Sequence, residues 1–141
     1  MSLIKVNNLK VYFHTDRGIV RAVDGVDFSI EKEKTLGVVG ESGCGKSMTA
    51  RAILKLIQMP PGRIETGEIR YHRNGEIIDL AKLSPKGKDM RSILGKEIAM
   101  IFQEPMTALN PVITIGRQVA EPLVTHLGMS RSDALKKASR W

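Results

Sequence analysis

The chain has 141 residues, 42% of them apolar and 26% charged, enough for one domain with a real core and ordinary for a soluble globular protein. No apolar run reaches the length that crosses a bilayer, the opening "MSLIKVNNLKVYFHTD" lacks the apolar core of a secretory signal, and the single cysteine, Cys44, excludes an internal disulfide framework and suits a reducing compartment. The net charge of +7 permits an anionic partner, but the basic residues are scattered and aromatics make up only 4%, so base-stacking platforms are scarce and no nucleic-acid partner is expected.

Along the chain, "SLIKVNNLKVYF" alternates weakly and predicts a strand. "DRGIV" supplies a Gly-centred turn into a second strand, "RAVDGVDFSI". The charged turn "EKEK" leads to "TLGVVG", which reads as a short buried strand of a sheet covered on both faces. A helix follows from about Lys46 to Gln58, with Ala50, Ile53, Leu54 and Ile57 on one face, until "MPPGR" stops it. "TGEIRYHRNGEIIDL" reads as a hairpin turning at Asn74-Gly75. Ser84-Pro85 opens a short helix through about Ile93, and "KEIAMIF" reads as a second buried strand. After the loop "QEPMTALNP" come two helices, near Ile115–Leu127 and from Ser130 onward, with Ser130 and Ser132 as candidate N-caps. The order predicts a mixed α/β layout.

Between the buried strand and its helix lies "GESGCGKS". Its spacing, Gly40-x-x-x-x-Gly45-Lys46-Ser47, satisfies the P-loop pattern. Glycines let the backbone turn tightly and bring N–H groups against an anion with no Cβ in the way. Successive N–H groups form a nest for phosphate oxygens, and the helix that starts near Lys46 points its positive end at the same place. Lys46 supplies a mobile charge for β- and γ-phosphates, and Ser47 a hydroxyl ligand for Mg²⁺. A glycine-rich turn that binds nothing is the alternative. With glycine at roughly 7% of average usage, a chance match in a chain of this length is on the order of one in a hundred or less.

"GESGCGKS" also resembles the Walker A loop of ATP-binding-cassette (ABC) ATPases. "IFQEPMTALNPVITIG" is similar to that family's Q-loop region, and "RAVDGVDFSIEKEKTLGVVGESGCGKS" to the run that joins its antiparallel subdomain to the P-loop. "PPGRIETGEI" and "GKEIAMIFQEPMTALNPV" resemble one subgroup, the ATP-binding subunits of bacterial oligopeptide and dipeptide importers; importers of nickel and other small solutes look similar here. The resemblance implies a P-loop NTPase core with an antiparallel β N-terminal subdomain, and ATP and Mg²⁺ as cofactors.

It also implies roles for matching positions. Gly40, Ser42, Gly43, Cys44, Gly45, Lys46, Ser47 and Met48 would surround the nucleotide's phosphates. Phe13 sits where the family places an aromatic that stacks on adenine, with Tyr12 as a rival and a strand or core aromatic as the plain alternative. Gln103 would approach Mg²⁺ and the attacking water, so Lys46 and Gln103 form the catalytic pair and Ser47 and Gln103 the metal pair. Glu104 to Thr125 would lie near the membrane permease subunits, and a second ATP-binding subunit would complete each site. His14, His72 and His126 are expected at the surface. No Leu-Ser-Gly-Gly-Gln-type signature, no apolar strand ending in Asp-Glu and no switch histidine follows in these residues. The resemblance is therefore to the N-terminal part of a cassette, with 1–112 as β-subdomain, P-loop and Q-loop core and 113–141 as the start of the helical subdomain. It implies a peripheral protein at the cytoplasmic face of the inner membrane, and a chain of this extent is expected to self-associate. Two rivals are a soluble P-loop enzyme such as a small-molecule kinase and a nucleic-acid-associated cassette protein that transports nothing.

Overall fold

The first strand shows how the sequence builds the sheet. In β1 (Ser2–Thr15) the buried positions are Ile4, Val6, Leu9 and Val11. They alternate by two except between Val6 and Leu9, where the pairing shifts against both neighbouring strands and Asn8 takes φ 43°. The extra residue is a bulge that returns Leu9 to the buried face. Opposite it, Gly67 has φ 105°, and a Cβ there would lie 2.6 Å from the Asn8 carbonyl oxygen and from Leu9 Cα.

The structure is a computed structural model that describes residues 2–103 and 109–140. The chain divides into two units, residues 1–90 and 91–141. In the first, β1, β2 (Gly18–Glu31), β3 (Gly62–Arg73) and β4 (Glu76–Asp79) form one antiparallel sheet in the order β2-β1-β3-β4. Thr15 pairs with Gly18 at the first hairpin and Arg73 with Glu76 at the second. Asn74 and Gly75 have φ 50° and 90°, the left-handed pair that a two-residue turn needs to match strand twist, as these residue types predict. The core of this unit takes the inward residues of β1 with Val23, Ile69 and Tyr71, and adds Ala52, Leu54, Ile57, Leu80 and Met90.

Helix α1 (Lys46–Ile53) packs against β1, β2 and a 3-10 turn at Leu80–Lys82. It stops earlier than its periodicity predicts. Lys55 takes φ 55°, its N–H donates to the Ala52 carbonyl at 3.0 Å, and the Leu56 N–H donates to that of Arg51 at 2.8 Å. Those two bonds close a Schellman motif, with lysine where glycine is usual. Helix α2 (Lys88–Ile93) also begins late, after a turn in which the Gly87 N–H donates to the Ser84 carbonyl at 2.9 Å.

Neither predicted buried strand forms. Residues 34–40 are irregular and exposed, with Val39 93% accessible. In "KEIAMIF" only Ile98 makes a bridge, to Leu94, and Ile101 is 96% accessible. An apolar run becomes a strand only when another strand satisfies its backbone groups. The four described strands pair among themselves and leave both runs without a ladder.

In the second unit, α3 (Ile115–Leu127) and α4 (Arg131–Ala138) enclose a small core of Ala120, Leu123 and Ala134, edged by Val124, Met129 and Ala138. The predicted bounds of α3 hold. The Gln118 amide ties this helix to the loop before it, donating to the carbonyls of Asn110 at 2.9 Å and Ile113 at 2.7 Å. Gly128 ends α3 at φ 65°. Of the two candidate caps, Ser130 is the one used: its hydroxyl accepts from the Asp133 N–H at 3.1 Å. Among the described residues no helix is long and apolar enough to cross a membrane.

Candidate phosphate-binding site

The loop of residues 40–45 runs into α1 with Gly45 as N-cap, at φ 91° and ψ 0°. No side chain caps this helix and no acidic residue lies in its first turn, so its leading N–H groups and the positive end of its dipole are left to whatever anion approaches. Gly43 is also left-handed, at φ 83°. The two glycines are required for different reasons. A Cβ at Gly43 would meet nothing within 4 Å, whereas one at Gly45 would lie 2.3 Å from the Ala22 carbonyl oxygen. Gly43 therefore serves the turn, and Gly45 serves the close approach of α1 to β2. A Cβ at Gly40 would lie 2.6 Å from Cys44 Sγ, so the loop closes tightly on itself as well.

Lys46 folds back over this loop. Its Nζ donates to the carbonyls of Gly40 at 2.7 Å and Glu41 at 2.6 Å, and stands 3.5 Å from Cys44 Sγ. The ammonium thus sits directly over the glycine turn, on a flexible stem that can exchange carbonyls for phosphate oxygens. Ser42, Cys44 and Ser47 are exposed, and Met48 is half-buried in the first turn of α1. The Thr49 hydroxyl donates to the Gly45 carbonyl at 3.0 Å and its N–H to the same oxygen at 2.8 Å, fixing the first turn. Uncapped main-chain donors at the start of a helix, one mobile ammonium and an exposed hydroxyl at Ser47 suit a polyphosphate with its Mg²⁺.

Phe13 is half-buried in β1 and pairs with Gly62 of β3 and Val20 of β2. A Cβ on Gly62 would fall 2.7 Å from both the Phe13 ring and Ile57, so the ring lies across that glycine toward the exit of α1. The register sets it one same-face step from Val11, whose β2 partner is Val23, beside the Ala22 carbonyl under Gly45. Tyr12 faces the other way. Its hydroxyl donates to Asp24 Oδ1 at 2.6 Å, and the Arg21 guanidinium stands 5.6 Å from its ring centre. That hydrogen bond raises the Tyr12 pKa and lowers that of Asp24. Next to Phe13, His14 pairs with Glu65, which also accepts from Arg63 Nε at 2.7 Å. The Arg63 bond first, and His14 second, hold the Glu65 carboxyl below the usual range. His14 is exposed, as expected, and its ring is hydrogen-bonded to Glu65.

Gln103 is exposed and lies in the second unit. Of the stretch expected near permease subunits, residues 104–108 lie outside the described residues, and Ile115 onward forms α3. Sequence reasoning missed Ala22, whose main-chain oxygen makes glycine obligatory at position 45. A backbone contact between segments so far apart leaves no signal in residue type.

A family model described as "ABC transporter" matches residues 23–141. The chain belongs to the ABC transporter family. Among curated relatives, this ABC chain is 47% identical over 136 residues to the oligopeptide transport ATP-binding protein OppD of Bacillus subtilis (strain 168), covering 96% of this chain and 36% of that protein. It is 42% identical over 139 residues to the glutathione import ATP-binding protein GsiA of Salmonella typhimurium, covering 98% of this chain and 22% of that one. The chain thus spans about a third or less of the length of these relatives. Among solved structures it resembles the ATP-binding cassette MJ0796 in a dimeric post-hydrolysis state bound to ADP and Pi, with a TM-score of 0.73 at 23% identity over 97% of this chain and 54% of that one. At that identity the likeness establishes the fold, that of the N-terminal part of an ABC ATPase cassette.

Proposed function

We propose that the chain is the N-terminal, nucleotide-binding part of the ATP-binding subunit of a bacterial peptide importer, where ATP binding and hydrolysis are coupled to transport. The observation that carries this is the cradle at the start of α1, with Gly45 against Ala22 and Lys46 Nζ over the Gly40 and Glu41 carbonyls. The peptide-importing relatives support the solute class and favour transport over a soluble kinase. Gly40, Ser42, Gly43, Cys44, Gly45 and Met48 shape the pocket around the phosphates. Their main-chain N–H groups replace water on the phosphate oxygens without reorganising, which is how fixed dipoles stabilise transferring charge. Lys46 would neutralise the β- and γ-phosphates, and Ser47 and Gln103 would hold Mg²⁺, whose charge would offset that of the phosphates. Phe13 stacks on adenine. Residues 1–112 belong to the β-subdomain and core, and 113–141 to the helical subdomain. Residues 104–125 meet permease subunits at the cytoplasmic face of the membrane, and a second ATP-binding subunit completes the site.

The 141 residues alone bind Mg-ATP weakly and turn it over negligibly, because positioning of water and metal supplies most of the rate in phosphoryl transfer. Isothermal titration and a phosphate-release assay test both halves. Lys46→Ala raises the Kd for Mg-ATP by about tenfold or more, one charge-assisted phosphate contact being worth about 1.5–3 kcal/mol, and Ser42→Ala changes it less. Equal affinities in the parent and both variants refute the phosphate assignment, and turnover at the rate of a complete transporter ATPase refutes the second half.

A further inference from the structure

The two ends of α1 are fixed to the antiparallel sheet by different means. At the N-terminal end, Gly45 rests on the Ala22 carbonyl. At the other end the fixing group is a lysine side chain. Lys55 is 9% accessible, and its Nζ donates to the Ala81 carbonyl at 2.7 Å. Ala81 is itself anchored. Its N–H donates to Asp79 Oδ1 at 3.1 Å, and the same oxygen accepts the Ile69 N–H of β3 at 3.1 Å. The path from helix end to sheet is therefore continuous: Lys55, Ala81, Asp79, Ile69. The ionised groups facing Lys55 here are the Asp79 carboxylate and, beyond it, the Lys82 ammonium, 3.2 Å from Asp79 Oδ2.

The choice of lysine carries two local costs. Its φ of 55° is one that glycine adopts without penalty. Burial disfavours its charge, and the Asp79 carboxylate only partly offsets this. Stopping the helix requires neither cost, since glycine would complete the same Schellman motif. What lysine adds is the bond to Ala81. We propose that Lys55 is a positioning residue for nucleotide binding: its amine ties the far end of the phosphate-loop helix to the turn after β4, and so sets where the helix's leading N–H groups meet the phosphates. The proposal rests on the reading of residues 40–48 as a phosphate site. An α1 of eight residues is about 12 Å long and stiff, so a tilt at Lys55 is felt at Gly45. Binding constellations of this kind tolerate displacements of only about 0.5 Å.

The test compares Lys55→Met, which keeps the aliphatic stem and the left-handed backbone but removes the donor, with Lys55→Gly, which removes donor and strain together, and Lys55→Arg, which restores a cationic donor. Two readouts are taken where circular dichroism shows each variant fully folded: the Kd for Mg-ATP by titration, and amide hydrogen exchange across Lys46–Ile53. Lys55→Met raises the Kd by roughly two- to thirtyfold and speeds exchange in α1. Lys55→Gly also binds more weakly even though its backbone is relaxed, and it supplies the answer should Lys55→Met not fold. Lys55→Arg returns both readouts toward the parent. A Kd unchanged in the Met and Gly variants overturns the proposal, as does a raised Kd that arginine does not restore. Failure of the parent chain to bind Mg-ATP overturns the nucleotide reading instead, and hydrogen exchange then decides the clamp by itself.

Discussion

Gly43 and Gly45 differ in a way that one pair of substitutions can expose. Both have positive φ, 83° and 91°, so alanine at either pays for a left-handed backbone, about 1–3 kcal/mol. Only at Gly45 does the new Cβ also strike the main chain, 2.3 Å from the Ala22 carbonyl oxygen. A Cβ essentially never comes within 3.0 Å of such an atom, so α1 or β2 has to give by about 0.7 Å. Forcing extra volume into a packed site costs about 1–3 kcal/mol more. Gly43→Ala is therefore expected to lose about 1–3 kcal/mol and Gly45→Ala about 2–6 kcal/mol. With a urea slope of about 2 kcal/mol per molar, the midpoint for Gly45→Ala lies about 0.5–1.5 M below that for Gly43→Ala. Urea unfolding followed by far-UV circular dichroism measures it. Equal midpoints would refute the claim that Gly45 is fixed by contact with β2 and leave only the conformational need that both glycines share.

Three further outcomes are expected. Cys44 is exposed, with Lys46 Nζ 3.5 Å from its sulfur; it reacts with maleimide, and saturating Mg-ATP slows the reaction, whereas labelling indifferent to nucleotide would put the thiol outside the site. Glu65 has a carboxyl pKa depressed first by its hydrogen bond from Arg63 and then by that with His14, so these contacts add stability above the ordinary value of 4.5 and lose it as pH falls through the lower folded-state value. The Tm gap between the parent and Glu65→Gln is thus present at neutral pH and closes in acid, and a gap independent of pH would contradict this. Finally, Val38, Val39, Ile101 and Val112 are exposed apolar residues and β2 is a long sheet edge, features that recruit partners. Light scattering at micromolar concentration should show species heavier than the 15.6 kDa chain, and a strictly monomeric, cooperatively melting protein would count against it.

What the sequence determined by itself is local chemistry. The phosphate loop follows from three glycines, a lysine and a serine at fixed spacing. The β3–β4 turn follows from Asn74-Gly75, because few other pairs accept two positive φ angles, and the start of α4 follows from the Ser130 hydroxyl and its reach to Asp133. Each is decided within a few residues. The tertiary structure decided whatever depends on a distant partner. "TLGVVG" and "EIAMIF" have the composition of buried strands, but a strand exists only in a ladder, and the described sheet closes with the order β2-β1-β3-β4 without them. The bulge at Asn8 sets which face of β1 is buried, and its reason is the pairing on both sides. Periodicity carried α1 on to Gln58, whereas the helix ends just before Lys55, whose left-handed backbone closes the Schellman motif and whose amine reaches the Ala81 carbonyl, 26 residues away. Even within the loop, the motif named Gly45, but the obstacle that makes it irreplaceable is the Ala22 oxygen on another strand. Residue type encodes which φ and which donors are available nearby, and only the fold brings the second surface against which they act.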